Sequence, residues 1–303
     1  MNMLNNILAP VDFSAASHTA LLQAARLASL SGAKLHVLHV VESDSVAVMA
    51  GLRDGNVDHH AQEVVEEARS VIPHWLEGCK LPGGYETNVV AGKPLHVILE
   101  QVDSLHADLL VAGFTGKHGF IWGAGSVSAR LARKAPIPTL LVRAEQPQTF
   151  QRIVACVDFS DASREVIRQA RQLAAQDGAH VDFLHVWREP WVVLPRGSIF
   201  ADAEPPAIIF TEKERLAYME NLRHQLHELV REEAPGIMHA EVLREAMSHG
   251  AGILDHARES RADLVVIGGT GNTSLRHMLL GSTAEQILAH STCSLLVIKT
   301  PGG

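Results

Sequence analysis

Cysteine is scarce in this sequence. Cys79, Cys156 and Cys293 are the three in 303 residues, isolated and odd in number, which excludes a disulfide framework and fits buried thiols in a reducing compartment. Long apolar runs are also missing: none reaches the ~18 residues that would span a bilayer. No basic segment leads into an apolar signal before the strand-like run Ile7–Val11, so a soluble, cytoplasmic chain without a membrane partner is expected. Basic clusters are absent too. With a formal net charge of −8, nucleic acid is excluded as the main partner. Catalytic signatures are lacking as well. There is no GxSxG elbow and no evident nucleophile–base pair, and Asn272 follows Gly271 where a P-loop would carry lysine. The eighteen histidines include the pairs His59–His60 and His224–His227, but neither comes with a tetrahedral ligand spacing such as HExxH or CxxC, so no metal site is expected.

What is present is a packed core and a repeat. The chain is 47% hydrophobic and 20% charged, enough to bury real cores, and its length suits two domains of about 150 residues each. Val11–Val40 and Val157–Val186 align without a gap at an offset of 146 residues. Val-Asp-Phe-Ser stands at 11–14 and 157–160, and Leu-His-Val at 38–40 and 184–186. The helical face Ala20, Ala24, Leu27, Ala28 recurs as Val166, Ala170, Leu173, Ala174. The expected domains are 1–145 and 151–303, joined around a linker at Ala144–Phe150.

In the first copy the predicted strands are Leu4–Val11, Lys34–Val41, Glu86–Val90, Leu109–Gly113 and Thr139–Arg143. Helices follow near Ser14, over Val57–Glu77, at Pro94 and from about Ser126, and a polar, small-residue loop is expected after Val41. The second copy repeats the order: strands Ile153–Val157, Val181–Val186, His239–Leu243, Leu264–Ile267 and Leu295–Lys299, with helices Ser163–Asp177, Glu212–Glu233, Ala251–Glu259 and Ser282–Ala289. Trp187–Phe210, rich in aromatics and proline, reads as a cover over the sheet edge or the domain junction, with a ligand lid as the other reading. Strands alternating with helices predict α/β architecture: two tandem open doubly wound domains, each a five-stranded parallel sheet of order 3-2-1-4-5 with helices on both faces. The last strands Thr139–Arg143 and Leu295–Lys299 are edges in isolated domains, and edges tend to be paired, so the halves are expected to join there.

Gly268–Thr283, GGTGNTSLRHMLLGST, links a buried strand to a helix. Bare backbone at its glycines and the free amides of the helix N-terminus form an anion cradle, usually for phosphate; an ordinary glycine-rich connection is the other reading. At the switch point of the sheet, Asp158 ends the first strand beside Gly268, where a carboxylate either accepts from a ligand or caps the helix at Ser160–Ser163. His39 and His185 are expected beside the ligand crevice.

Gly268, two residues, Gly271, nine residues, then Gly281-Ser282 resembles the ATP-binding loop of the universal stress proteins, and the resemblance extends over both halves. It implies a tandem universal stress protein, an adenine-nucleotide-binding regulator of the stress response. The implied site is Asp158, Val186, Ile267, Gly268, Gly271, Gly281, Ser282 and Thr283, holding ATP, AMP or ADP with magnesium as accompanying ion. The first copy departs from the pattern. Gly113, Gly116 and Gly125-Ser126 are one residue short in spacing, and Phe120, Ile121 and Trp122 crowd the interval, so Asp12, Val40, Gly113, Gly116, Gly125 and Ser126 form at most a weaker second site. Gly92-Lys93-Pro94 of the first copy corresponds to Met247-Ser248-His249 of the second, a reshaping close to the loop. An internal pseudo-dimer, a homodimer and an unidentified protein partner are further expectations. An ATP-using enzyme of the related superfold and a partner module without ligand are the alternatives. The first would show an SGGxDS-like loop where this chain has Val-Asp-Phe-Ser.

Overall fold

The computed structural model describes residues 4–52, 56–114, 127–144, 149–188, 211–269 and 280–299. The first half runs β1 (Asn6–Val11), α1 (Ala15–Ser31), β2 (Lys34–Glu42), α2 (Ser43–Leu52), α3 (Val57–Trp75), β3 (Glu86–Gly92), α4 (Pro94–Ser104), β4 (Leu109–Phe114), α5 (Val127–Lys134) and β5 (Thr139–Arg143). The second runs β6 (Arg152–Cys156), α6 (Asp161–Asp177), β7 (His180–Trp187), α7 (Glu212–Glu233), β8 (His239–Glu245), α8 (His249–Glu259), β9 (Leu264–Gly268), α9 (Ser282–His290) and β10 (Ser294–Ile298).

Local chemistry sets these boundaries, and it is duplicated. Ser14 caps α1, its side chain accepting from Ser17 N at 3.2 Å, which satisfies one of the free amides of the first turn. Gly32 closes α1 at φ 73° and Gly178 closes α6 at φ 67°, each amide returning to a helix carbonyl, the left-handed ending that glycine adopts without strain. One element departs from the sequence reading. Ser43–Leu52, expected as loop, is α2: Val46 and Ala50, four residues apart, are 2% and 0% exposed and share one face, and the helix packs on α3.

The strands form a single ten-stranded sheet in the order β3-β2-β1-β4-β5-β10-β9-β6-β7-β8. Each half keeps the expected 3-2-1-4-5 order with parallel neighbours. At the centre β5 and β10 pair antiparallel, Leu141 opposite Leu295 and Thr139 opposite Val297. The two five-stranded sheets are therefore one, parallel within each half and antiparallel at the seam.

Alternate residues of each strand feed opposite faces. Ile7 and Ala9 belong to the apolar layer that also holds residues of α1, α3, α6 and α7, whereas Leu8 belongs to the layer that holds residues of α4, α5, α8 and α9. Both apolar layers run unbroken from one half into the other. Polar contacts cross the seam as well. Arg133 makes a bidentate pair with Glu285 at 2.7 and 2.8 Å. Arg143 Nη1 donates to Ser291 O just past α9 at 3.0 Å, and Lys299 Nζ donates to Arg133 O near the end of α5 at 3.2 Å. Each half thus lends a cation to the carboxyl end of the other's last helix, where the dipole favours it. On the opposite face Arg26 of α1 binds Asp177 of α6, whose carboxylate is 1% exposed.

Candidate functional site

The switch point of the second half opens a crevice of about 520 Å³ at the carboxyl ends of β6, β7 and β9. Because β6 sends its helix to one face and β9 to the other, the sheet parts there, and the amino ends of α6, α8 and α9 converge on the gap. Asp158, His185, Val186, Ile267, Gly268, Gly281, Ser282 and Thr283 line it together. Of the eight residues implied by the resemblance, seven are brought to this one space. Gly271 lies outside the described residues.

Asp158 holds the turn into α6 and also lines the crevice. Its Oδ1 accepts from Ser160 N at 3.1 Å, from the Ser160 hydroxyl and from Ser163 Oγ at 2.7 Å, while its own amide donates to Ser163 Oγ at 3.0 Å. One oxygen thus fixes the turn into α6. Among the described residues Oδ2 is left without a bond, so it can accept from a ligand. Phe159, next in the chain, stands at φ 60°, a left-handed conformation costing a non-glycine residue about 1–2 kcal/mol. Its ring lies 4.4 Å from that of His185.

His185 Nδ1 is 2.7 Å from Val157 O. A carbonyl can only accept, so Nδ1 carries the proton. Burial pushes the imidazolium down in pKa, against the raising influence of the Val157 carbonyl and Asp158 and with the help of nearby His249. The ring is therefore neutral around pH 7, and its Nε2 is an acceptor. Cys156 also lines the crevice, and burial raises its thiol so far that it stays protonated.

Gly281 is the N-cap of α9, at φ −65° and ψ 153°. Its amide donates to Gly269 O at 2.9 Å, and Gly269 N donates to Ile298 O at 2.8 Å, which ties the loop's end to β10. Any residue can adopt φ −65°, so the conformation here does not itself require glycine. Ser282 and Thr283 line the crevice at the start of α9, whose first amides have no partner within the helix.

In the first half Asp12 repeats the arrangement, Oδ1 accepting from Ser14 N at 3.1 Å and from Ser14 Oγ, and His39 Nδ1 lies 2.9 Å from Val11 O. Gly113 has a packing role: a Cβ there would sit 2.5 Å from the Ala16 carbonyl carbon and 2.6 Å from Ser17 N. The glycine that the sequence assigns to ligand approach is already required by the start of α1. Val40 is half-buried on β2. Gly116, Gly125 and Ser126 lie outside the described residues, as do Phe120, Ile121, Trp122 and most of the Trp187–Phe210 segment. Trp187 itself ends β7 and is buried.

Sequence reasoning did not single out Arg188, which lines the crevice beside Val186; the 146-residue offset, carried two positions further, would have set it against Glu42. Elsewhere, His59 and His60 gain Glu63 as a third potential metal ligand, the three within 4.8 Å of one another, a grouping the spacing reading missed. His60 Nδ1 lies 2.9 Å from Glu63, and His227 Nδ1 lies 3.1 Å from Glu241, ordinary carboxylate partners for imidazoles.

A model of the universal stress protein family matches residues 3–143 and again 149–299. The chain belongs to the universal stress protein family. Because the model matches twice, it is a tandem universal stress protein. It is similar over its length to a universal stress protein of Mycolicibacterium smegmatis, 26% identical over 303 residues and covering 97% of this chain and 96% of that one. Universal stress protein YxiE of Bacillus subtilis is 29% identical over 156 residues, covering 50% of this chain and 99% of its own. Among solved structures, a universal stress protein from Archaeoglobus fulgidus superposes with a TM-score of 0.67 at 19% identity, both chains covered in full. Among the described residues of this tandem universal stress protein, no helix is long and apolar enough to cross a membrane.

Proposed function

We propose that this universal stress protein binds an adenine nucleotide, ATP or its AMP or ADP relatives, in the crevice of its C-terminal half, and acts as a nucleotide-dependent regulator in a stress response. The observation that carries the reading is the convergence of Asp158, Val186, Ile267, Gly268, Gly281, Ser282 and Thr283 on one crevice of about 520 Å³, a size within the usual ~300–1,000 Å³ of small-molecule sites. Acceptors at Asp158 Oδ2 and His185 Nε2 suit the hydroxyls and amino group of a nucleoside. The amino end of α9 suits its phosphates. A magnesium ion would ride on those phosphates, with the Asp158 carboxylate and the Ser282 and Thr283 hydroxyls as the oxygen groups at hand. No lysine is among the described residues that line the crevice, so any hydrolysis is slow compared with dedicated phosphoryl-transfer enzymes.

The test is the clearance at position 281. Gly281→Val leaves the backbone conformation accessible but fills the space a phosphate needs, so calorimetric titration should show ATP affinity falling at least about tenfold, the level of ~1.4 kcal/mol. Circular dichroism would check that the fold is retained. A folded Gly281→Val variant that binds ATP like the parent sinks the assignment. Mass spectrometry of ligand released from the purified parent provides a second readout.

A further inference from the structure

We infer that Arg188 and His249 make the C-terminal crevice selective for a phosphorylated ligand over its nucleoside, and that the matching positions leave the N-terminal half without that preference. The inference rests on the nucleotide reading above and adds to it the residues that sort charge.

Arg188 follows β7 directly and lines the crevice with its side chain exposed. The nearest acid in register is Glu245, opposite Trp187 on β8. Glu245 is already bound by Arg215 at 2.9 Å, and Arg215 in turn lies over the Trp187 ring. Among the described residues Arg188 has no carboxylate partner, and it lines the crevice. His249 is the first residue of α8, behind the N-cap Ser248, and lines the same crevice. It is close enough to His185 to act on it electrostatically. Among the described residues, the single acid lining the crevice is Asp158, with one oxygen committed to Ser160 and Ser163. The amino ends of α8 and α9 add positive partial charge at the same place. Arg188 and the amino ends of α8 and α9 therefore favour an anion, while the Nε2 of His185 remains an acceptor suited to a neutral hydroxyl or amino group.

In the first half the 146-residue offset puts Glu42 at the place of Arg188. Glu42 ends β2, is exposed, and accepts from Ser45 Oγ at 3.4 Å. Pro94, which has no amide hydrogen, stands where the second half has His249, and Lys93 beside it at most offsets Glu42. Asp12 is present as in the second half. Arg188 offsets Asp158 in the second copy, whereas Glu42 and Asp12 outnumber Lys93 at the matching positions of the first, so the second copy is the more positive by one charge. A rim charge acts on a phosphate through space within the ~8–10 Å screening length of physiological salt, and it leaves a neutral nucleoside unaffected.

The experiment is calorimetric titration of the full chain with adenosine, AMP and ATP, at low and high salt, for the parent, Arg188→Glu, Arg188→Gln and His249→Gln. The expected result is roughly tenfold weaker ATP binding for Arg188→Glu, smaller losses for AMP and for the other two variants, and adenosine affinity within about twofold throughout. High salt should shrink the ATP penalty. Equal losses for adenosine and ATP would mean that Arg188 shapes the pocket instead of reading charge, which overturns the inference. Unchanged ATP binding in all three variants, with a parent that binds ATP, overturns the inference and leaves the proposed function standing. A parent that binds none of the three ligands removes both.

Discussion

Two of the glycines that the sequence marks in its strand-to-helix connections differ in their surroundings. Gly281 lines the crevice at an ordinary φ of −65°, so its backbone conformation does not by itself call for glycine. Gly113 is pinned by the backbone of Ala16 and Ser17, so its missing side chain matters to folding. Gly113→Ala should therefore cost about 1–3 kcal/mol, the usual penalty for overpacking, read as a lower urea midpoint whether or not ligand is present. If Gly113→Ala were as stable as the parent, the packing explanation would be wrong. Asp12 offers a pH test. Burial pushes its carboxyl up, but bonds from the Ser14 and Ser17 hydroxyls and from backbone amides outweigh this and hold it below the ordinary 3.8. The unfolded chain then binds the proton more readily, so this contribution is complete above pH 3.8 and fades as the pH falls through the lower, folded value. Asp12→Asn should cost roughly 0.5–1 kcal/mol at neutral pH, the net worth of an ordinary hydrogen bond, because solvent at this exposed site screens the charge. The gap to the parent should close in urea titrations below about pH 4. A gap that stays constant from neutral to acid pH rejects the assignment. Asp158 and Val186 were legible in the sequence because an identical string repeats around them. Arg188 was not, because a lone arginine after a strand carries no pattern and acquires meaning only from the space it faces.

At the scale of elements, the strands and the main helices could be read because side-chain chemistry marks their ends. Gly32 and Gly178 close their helices in left-handed conformations, and a Cβ at either place would have nothing within 4 Å, so the cost of replacing them is conformational alone. Gly178→Ala should lose about 1 kcal/mol in thermal unfolding, less than Gly113→Ala, where a steric clash is added; the reverse order would overturn both explanations. The helix α2 escaped notice for a physical reason. Among its described side chains the buried apolar face is Val46 and Ala50, too short to stand out against flanking serine, aspartate and glycine, and the helix docks on α3.

Across the whole molecule, joining the last strands removes two sheet edges at once. A half expressed alone would bare β5 or β10, along with the apolar layers that continue past the seam. Such a half is expected to self-associate, seen as a dimer or larger species in size-exclusion chromatography with light scattering. Two monodisperse monomers would contradict the seam's importance. The full chain, by contrast, should melt at a temperature independent of its concentration, because the pairing is intramolecular.

The seam also decides what can change. When two identical chains meet about a two-fold axis, every substitution appears twice, so a residue improved for one crevice is imposed on the other. Here the same contacts, Arg143 to Ser291 and Lys299 to Arg133, are made between halves encoded separately. Position 42 can be glutamate while its counterpart 188 is arginine, and one loop can lose a residue while the other keeps its length. Fusion therefore releases the two sites from symmetry: one half is free to specialise in its ligand, and the other can drift towards a purely supporting role without cost to the first.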